Sequence, residues 1–289
     1  STAMGVHNIS ADPSEIGRIY VISGDVTGYG YEILDDKTSI LTFGDSSSFK
    51  SSGVNSCELS SSSQVSADKE CMLFGSGVNF IWIEGFYDND NNTSTIMFSF
   101  NNTNFSTFRK IKNINISSGG HSMMNGTSHS NRFINVKMRG NNGASSSFYS
   151  ADNTVSNFLF YENIYAYAGN TTSSLGFDPE GSNHVLSKIK VSHVGARNGY
   201  HGALSISGQG VIATNILVHN SLGDGIFFNA TGDESILAFA SVFNSAEDGI
   251  FLRNSGNDNF IHNVLSVGND VGLGTHGSQL SENHIISDI

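Results

Sequence analysis

The chain has 289 residues, and Gly (32), Asn (32) and Ser (46) together make more than a third of it, against only 2 Pro and 14% charged residues. Too few Ala, Glu, Lys and Leu are present for a coiled coil or helical bundle, Gly has no triplet period as in collagen, and 38% hydrophobic with 10% aromatic residues is too much for a disordered chain. A net charge of −12 opposes nucleic acid and anionic membranes at long range, and no apolar run approaches the ~18 residues of a spanning helix. One elongated domain is compatible with this length.

In chain order, residues 1–4 read as a cloning remnant, and no signal peptide precedes them, as in a mature secreted chain. Residues 5–110 read as an N-terminal cap and first irregular coils. Ile16 to Val26, Tyr31 to Phe43, Met72 to Gly85 and Ser94 to Phe105 alternate like strands. In the repeating part that follows, Gly is expected to supply positive φ at the corners. Gly44 to Glu70 is polar and reads as a loop pinned by a Cys57–Cys71 disulfide, which suits an extracytoplasmic compartment, secreted, periplasmic or at the cell surface. Two Cys without a nearby His fall short of a zinc site. Asp88-x-Asp90-x-Asn92 begins like a Ca²⁺ loop, although Thr93 replaces its Gly; apart from Ca²⁺, no cofactor is expected.

Residues 111–289 repeat. Short apolar strands open at Asn113, Asn135, Asn163, Lys188 and Asn215, in units of about 22–28 residues. The motif Val-x-Asn-Ser-x-x-Asp-Gly-Ile-Phe occurs twice, at Val218 to Phe227 and Val242 to Phe251. A strand of this length cannot bury a core alone; stacked on copies of itself at ~4.8 Å, it can. Ile226 is then expected over Ile250 and Phe228 over Leu252, with Asn residues bonding along the stack. The predicted fold is all-β, a right-handed parallel β-helix.

By this repeat pattern the chain resembles the pectin-lyase-like β-helix superfamily. Gly176-Phe-Asp-Pro-Glu-Gly181, followed by the Asp224-Gly225 and Asp248-Gly249 coils, is similar to the Tyr-Gly-Phe-Asp-Pro-His-Glu module of mannuronan C5-epimerases. That resemblance implies a catalytic role for Asp178. Glu180 stands at the motif's His, Leu175 at its Tyr, and the second expected Asp falls near Leu204-Ser205. Gly199-Tyr-His-Gly-Ala-Leu-Ser-Ile206 resembles a polygalacturonase stretch and implies a role for His201.

Asp178, Glu180 and His201 therefore form the candidate catalytic set, since glycosidase, lyase and epimerase chemistry each need acid and base groups near the sugar. Arg197 is the candidate for positioning substrate; with Lys188 and Lys190 it forms a basic cluster that could hold a lyase base or be ordinary solvated charge. Tyr165, Tyr167 and Tyr200, with Tyr161, are candidate stacking faces. Asp224, Asp248 and Asp270 form an acidic column able to serve as corner residues or oxygen ligands for Ca²⁺. Two functional readings follow. One is a secreted or surface protein that binds, cleaves or modifies a polysaccharide or cell-surface glycan. The other is a non-catalytic adhesin, surface or fibre module, with further coils or domains in a larger parent protein.

Overall fold

The computed structural model describes residues 4–9, 19–34, 36–53, 69–90, 95–100, 102–116, 120–125, 128–140, 147–149, 156–167, 176–179, 181–193, 202–229, 233–253, 258–276 and 285–287. Among them every strand pair is parallel, and most strands are bonded to their equivalents one coil before and one coil after. The long strands Arg132–Gly140, Phe160–Tyr167, Val185–Ser192, Ile212–His219, Ile236–Phe243 and Phe260–Val267 form one ladder. The short strands Phe177–Asp178, Leu204–Ile206, Ile226–Phe228, Ile250–Arg253 and Leu273–His276 form another. This is the parallel β-helix that the repeat predicts.

Each long strand is bent into two faces. Ile134 pairs with Glu162 and Val136 with Ile164, but Asn135 and Asn163 between them are skipped. Both are left-handed, with φ of 57° and 55°, and the column continues through Lys188, Asn215, Phe239 and Asn263. Asn135, Asn163 and Asn215, read as opening the strands, thus stand at a corner inside them, whereas Asn113 pairs with Met138 beyond its corner. Asn tolerates this conformation because its short amide bonds locally. A second left-handed column, Ser130, Phe158, Asn183, Gly210, Glu234 and Asp258, precedes the first face. A third, His193, Asn220, Asn244 and Gly268, ends the second face. The short strands make the third face.

Most corners carry a non-glycine residue, which corrects the expectation that Gly supplies their positive φ. The glycine of the Asp-Gly-Ile-Phe motif serves close approach instead: a Cβ on Gly249 would overlap the Ser266 hydroxyl.

The core lies inside the coil. Phe108, Phe133 and Tyr161 occupy successive rungs, all 0% exposed, with ring centroids 5.1 and 5.2 Å apart. Such rings gain ~0.5–1.5 kcal/mol per pair beyond area burial. Tyr161, read as a surface stacking residue, is therefore a core residue. Ile226 pairs with Ile250 and Phe228 with Leu252, all buried, as the repeat predicts.

A buried polar column just after the second set of corners supplies bonds that the bent ladder loses. Ser106 Oγ accepts from Ile81 N–H at 2.9 Å, and Asn131 Oδ1 accepts from Ser106 N–H at 2.8 Å. His184, Ser235 and Asn259 repeat the device for Leu159, Val211 and Ser235. Each polar side chain bonds the backbone N–H one coil before it, so its burial is compensated.

Parallel stacking also reaches the N-terminal region. Met4–Ile9 pairs with Ile19–Ile33, which pairs with Ser39–Gly53, and Phe86–Asp90 pairs with Lys112–Ile116 across residue 110. Met4 is thus part of a strand. Ser39–Gly53 and Lys69–Phe74 run into both ends of the Gly44–Glu70 stretch read as loop, which shortens it. Cys71 lies in the second of these strands and Cys57 lies outside the described residues, so the disulfide does too.

Candidate functional site

On the third face Phe177, Leu204, Ile226 and Ile250 belong to the core cluster, as do Ile206, Phe228 and Leu252. The residues between them take the other side of the sheet. Phe177 pairs with Leu204, so Asp178 stands over Ser205; Ser205 pairs with Phe227, and Phe227 with Phe251. The outer side of this face thus carries an acid, a serine and two stacked phenylalanines, with Phe227 and Phe251 centroids 5.7 Å apart.

Asp178 is only 4% exposed, and its Oδ1 accepts the Ser207 hydroxyl at 2.9 Å. Burial pushes its carboxyl up to about 6, against the pull of the Ser207 bond. A carboxyl poised there can pass a proton in either direction near neutral pH.

Beside it runs the acidic column. Asp224 is 7% exposed, and burial pushes it up to about 7; the Asp248 N–H bond opposes this, and the charges of Glu247 and Asp248 add to it. Asp248 is raised by burial, then by Asp270 and Glu247. A Cβ on Gly274 would overlap the Asp248 carboxylate as it is placed, so a larger residue there would have to turn that side chain aside. The backbones of Asp178 and Asp224 stand two rungs apart, ~10 Å along the axis. That exceeds the ~5 Å carboxyl separation of a double-displacement glycosidase pair.

Tyr165 and Tyr167 lie on a different face from Asp178. They alternate with buried Ile164 and Ala166 on the outer side of the second face. Lys137 and Lys190 Nζ lie 5.6 and 5.5 Å from the Tyr165 ring centroid. The Tyr167 ring lies 5.0 Å from His193 and tilted to it by 41°, and His193 is 5.6 Å from His219. His219 is lowered by burial, then by the charges of Lys190 and His193. Lys188, read with Arg197 and Lys190 as a basic cluster, pairs on the surface with Glu162 at 3.1 Å.

Glu180, Arg197, Tyr200, His201 and Asn92 lie outside the described residues. Asp88 and Asp90 belong to the strand Phe86–Asp90, with Asp88 paired to Ser51 and Asn113. Among the described residues, no three of His, Cys, Asp and Glu converge to hold a metal ion, and no helix is long and apolar enough to cross a membrane. The sequence reading missed Ser207 and the Phe227–Phe251 pair. Their signal was the odd positions of the short strands, which alternate with the apolar repeat.

No protein-family model matches the chain, and no curated protein matches it in sequence. Solved structures do. A variant of the periplasmic alginate epimerase AlgG is similar with a TM-score of 0.57 and 14% identity, over 97% of this chain and 74% of that one. Another AlgG structure gives 0.56 and 14%, over 92% of this chain and 64% of that one. The catalytic domain of a GH87 alpha-1,3-glucanase in complex with tetrasaccharides gives 0.50 and 13%, over 96% and 64%. The chain thus spans about two thirds of the length of these proteins. At such identity the likeness shows the fold alone, that of a right-handed parallel β-helix.

Proposed function

We propose that this protein is an extracytoplasmic polysaccharide-active β-helix whose third face carries the chemistry, with Asp178 as its acid–base group. The observation that carries the reading is the Asp178 carboxyl, placed on the outer side of the coil, buried, held by Ser207 and raised to about 6. The register sets Ser205 beside it on the next rung, so a second polar group accompanies the carboxyl on that side of the sheet. Proteins of this fold include one that epimerises alginate in the periplasm and one that cleaves a glucan, which supports both substrate class and compartment. Glu180 and His201 act with Asp178 in this reading, with Arg197 and Tyr200 on the substrate; the Cys57–Cys71 disulfide fits the same compartment.

The test is a panel of uronic and neutral polysaccharides, followed by reducing ends and by absorbance of unsaturated products, with and without Ca²⁺. The expected result is turnover of one of them, reduced at least 100-fold by Asp178→Asn, in the range of a lost general acid or base. Turnover that survives this substitution unchanged moves the chemistry off Asp178; none on any substrate removes the enzyme. One observation favours a second reading, a non-catalytic glycan-binding module. Among the described rungs beside Asp178, the register partners are Tyr149 and the Ser205 position, and neither is a carboxylate.

A further inference from the structure

Strand register brings together a column that is scattered in the sequence. Lys50 pairs with Tyr87, Tyr87 with Lys112, Lys112 with Lys137, Lys137 with Tyr165, and Tyr165 with Lys190. Four of the chain's eight lysines and two of its tyrosines thus occupy one position on consecutive rungs of the second face. Lys112, Lys137 and Lys190 are exposed, and the positions flanking Lys137, Tyr165 and Lys190 in their strands are buried, so the column faces outward. Lys137 and Lys190 hold their ammonium groups over Tyr165 from opposite sides. The strand halves 112–116, 136–139, 164–167 and 189–192 contain no Asp or Glu. In a chain with a net charge of −12, this is a local reversal of sign.

We propose that this ribbon is a binding surface for an anionic polysaccharide, laid along the helix axis and separate from the Asp178 face. Rungs rise by ~4.8 Å, so the two lysines flanking Tyr165 stand ~10 Å apart. An extended glycan advances by about one sugar per rung, which sets charged groups on alternate sugars against the lysines and one sugar ring on Tyr165. Tyrosine supplies a flat apolar face with a polar edge, suited to a pyranose ring. Ammonium groups supply charge without a fixed geometry, which suits carboxylates spaced along a polymer. A dense polyanion such as a nucleic acid meets the repulsion of the whole acidic surface, whereas a sparsely charged glycan meets chiefly the ribbon. The inference rests on the reading of the protein as polysaccharide-active and names the class of polymer.

The experiment is affinity electrophoresis and calorimetry with polygalacturonate, a neutral glucan and a single-stranded oligonucleotide as probes. The proteins are the full chain, Lys137→Met/Lys190→Met, the milder single variant Lys190→Gln, Tyr165→Ala and Tyr165→Phe, each first checked for an unchanged melting transition. The expected result is binding of the polyuronate but not the glucan, weakened when ionic strength rises from about 0.05 M to about 0.5 M. The double lysine variant loses at least tenfold in affinity and Lys190→Gln a few-fold; Tyr165→Ala loses several-fold and Tyr165→Phe retains binding. Polyuronate affinity unchanged in both lysine variants overturns the proposal, as does absence of polyuronate binding or oligonucleotide binding of equal strength and the same lysine dependence. Asp178→Asn separates the two readings: it abolishes turnover and leaves ribbon binding intact. Ribbon binding without turnover in any protein leaves this inference standing and removes only the catalytic reading.

Discussion

Asp224 Oδ1 accepts the backbone N–H of Asp248, its counterpart one coil further on, at 3.1 Å. The bond ties two coils together at the start of their short strands, yet it is made by a carboxyl that burial and neighbouring acids hold at about 7 rather than near 3.8. In the unfolded chain Asp224 ionises near 3.8, so between that pH and about 7 the folded state binds more protons than the unfolded one. Stability therefore falls as pH rises through this window. Asp178, raised to about 6, acts in the same direction. Thermal unfolding followed from pH 4 to pH 8 should show a falling Tm that levels off above about 7. Asp224→Asn keeps the acceptor oxygen and removes the charge, so it should raise Tm at pH 8 by about 2–4 °C for each kcal/mol recovered. It should do little at pH 4. A flat profile in the parent chain would remove the basis for this linkage.

Asn131 spends both ends of its amide on the backbone of the preceding coil: Nδ2 donates to Thr103 O at 2.9 Å, and Oδ1 accepts from Ser106 N–H at 2.8 Å. It is 0% exposed, so Asn131→Ala leaves two backbone groups unpaired in the core, at ~1–3 kcal/mol each. Urea unfolding should show that loss. Asn131→Ser should lie between the two, because Ser106 and Ser235 do the same work with one hydroxyl.

At the bend of the long strands, Asn163 has φ 55° and donates Nδ2 to Asn135 Oδ1 at 2.6 Å. Asn163→Val places a β-branched residue in the left-handed region and should cost ~1–2 kcal/mol or more. Asn163→Gly should stay near parent stability, because glycine adopts that conformation freely and loses only the exposed side-chain bond. Equal losses for Val and Gly in chemical denaturation would show that the amide bond, not the backbone, decides the position.

Much of this was legible beforehand because a solenoid writes its contacts into its period. Ile226 over Ile250 and Phe228 over Leu252 were readable from one motif written twice, and Asn244 donating to Asn220 at 3.3 Å follows from the same spacing. Where coil lengths vary, the period stops reporting register. Lys112, Lys137, Tyr165 and Lys190 share a column, but neighbours are separated by unequal numbers of residues, because the extra ones leave the ladder between strands. Tyr161 and Tyr165 look alike in sequence. One is in the core and the other outside because the corner at Asn163 shifts the alternation between them.

The sequence by itself determined that the chain stacks: strands too short to bury a core, repeated with like residues at like places, have no other way to leave water. The tertiary structure decided which side chains meet. Backbone hydrogen bonds between coils set the register, and the left-handed corners set the direction in which each residue points. Together these put Asp178 with Ser207 on one face and gathered the lysines and tyrosines on another.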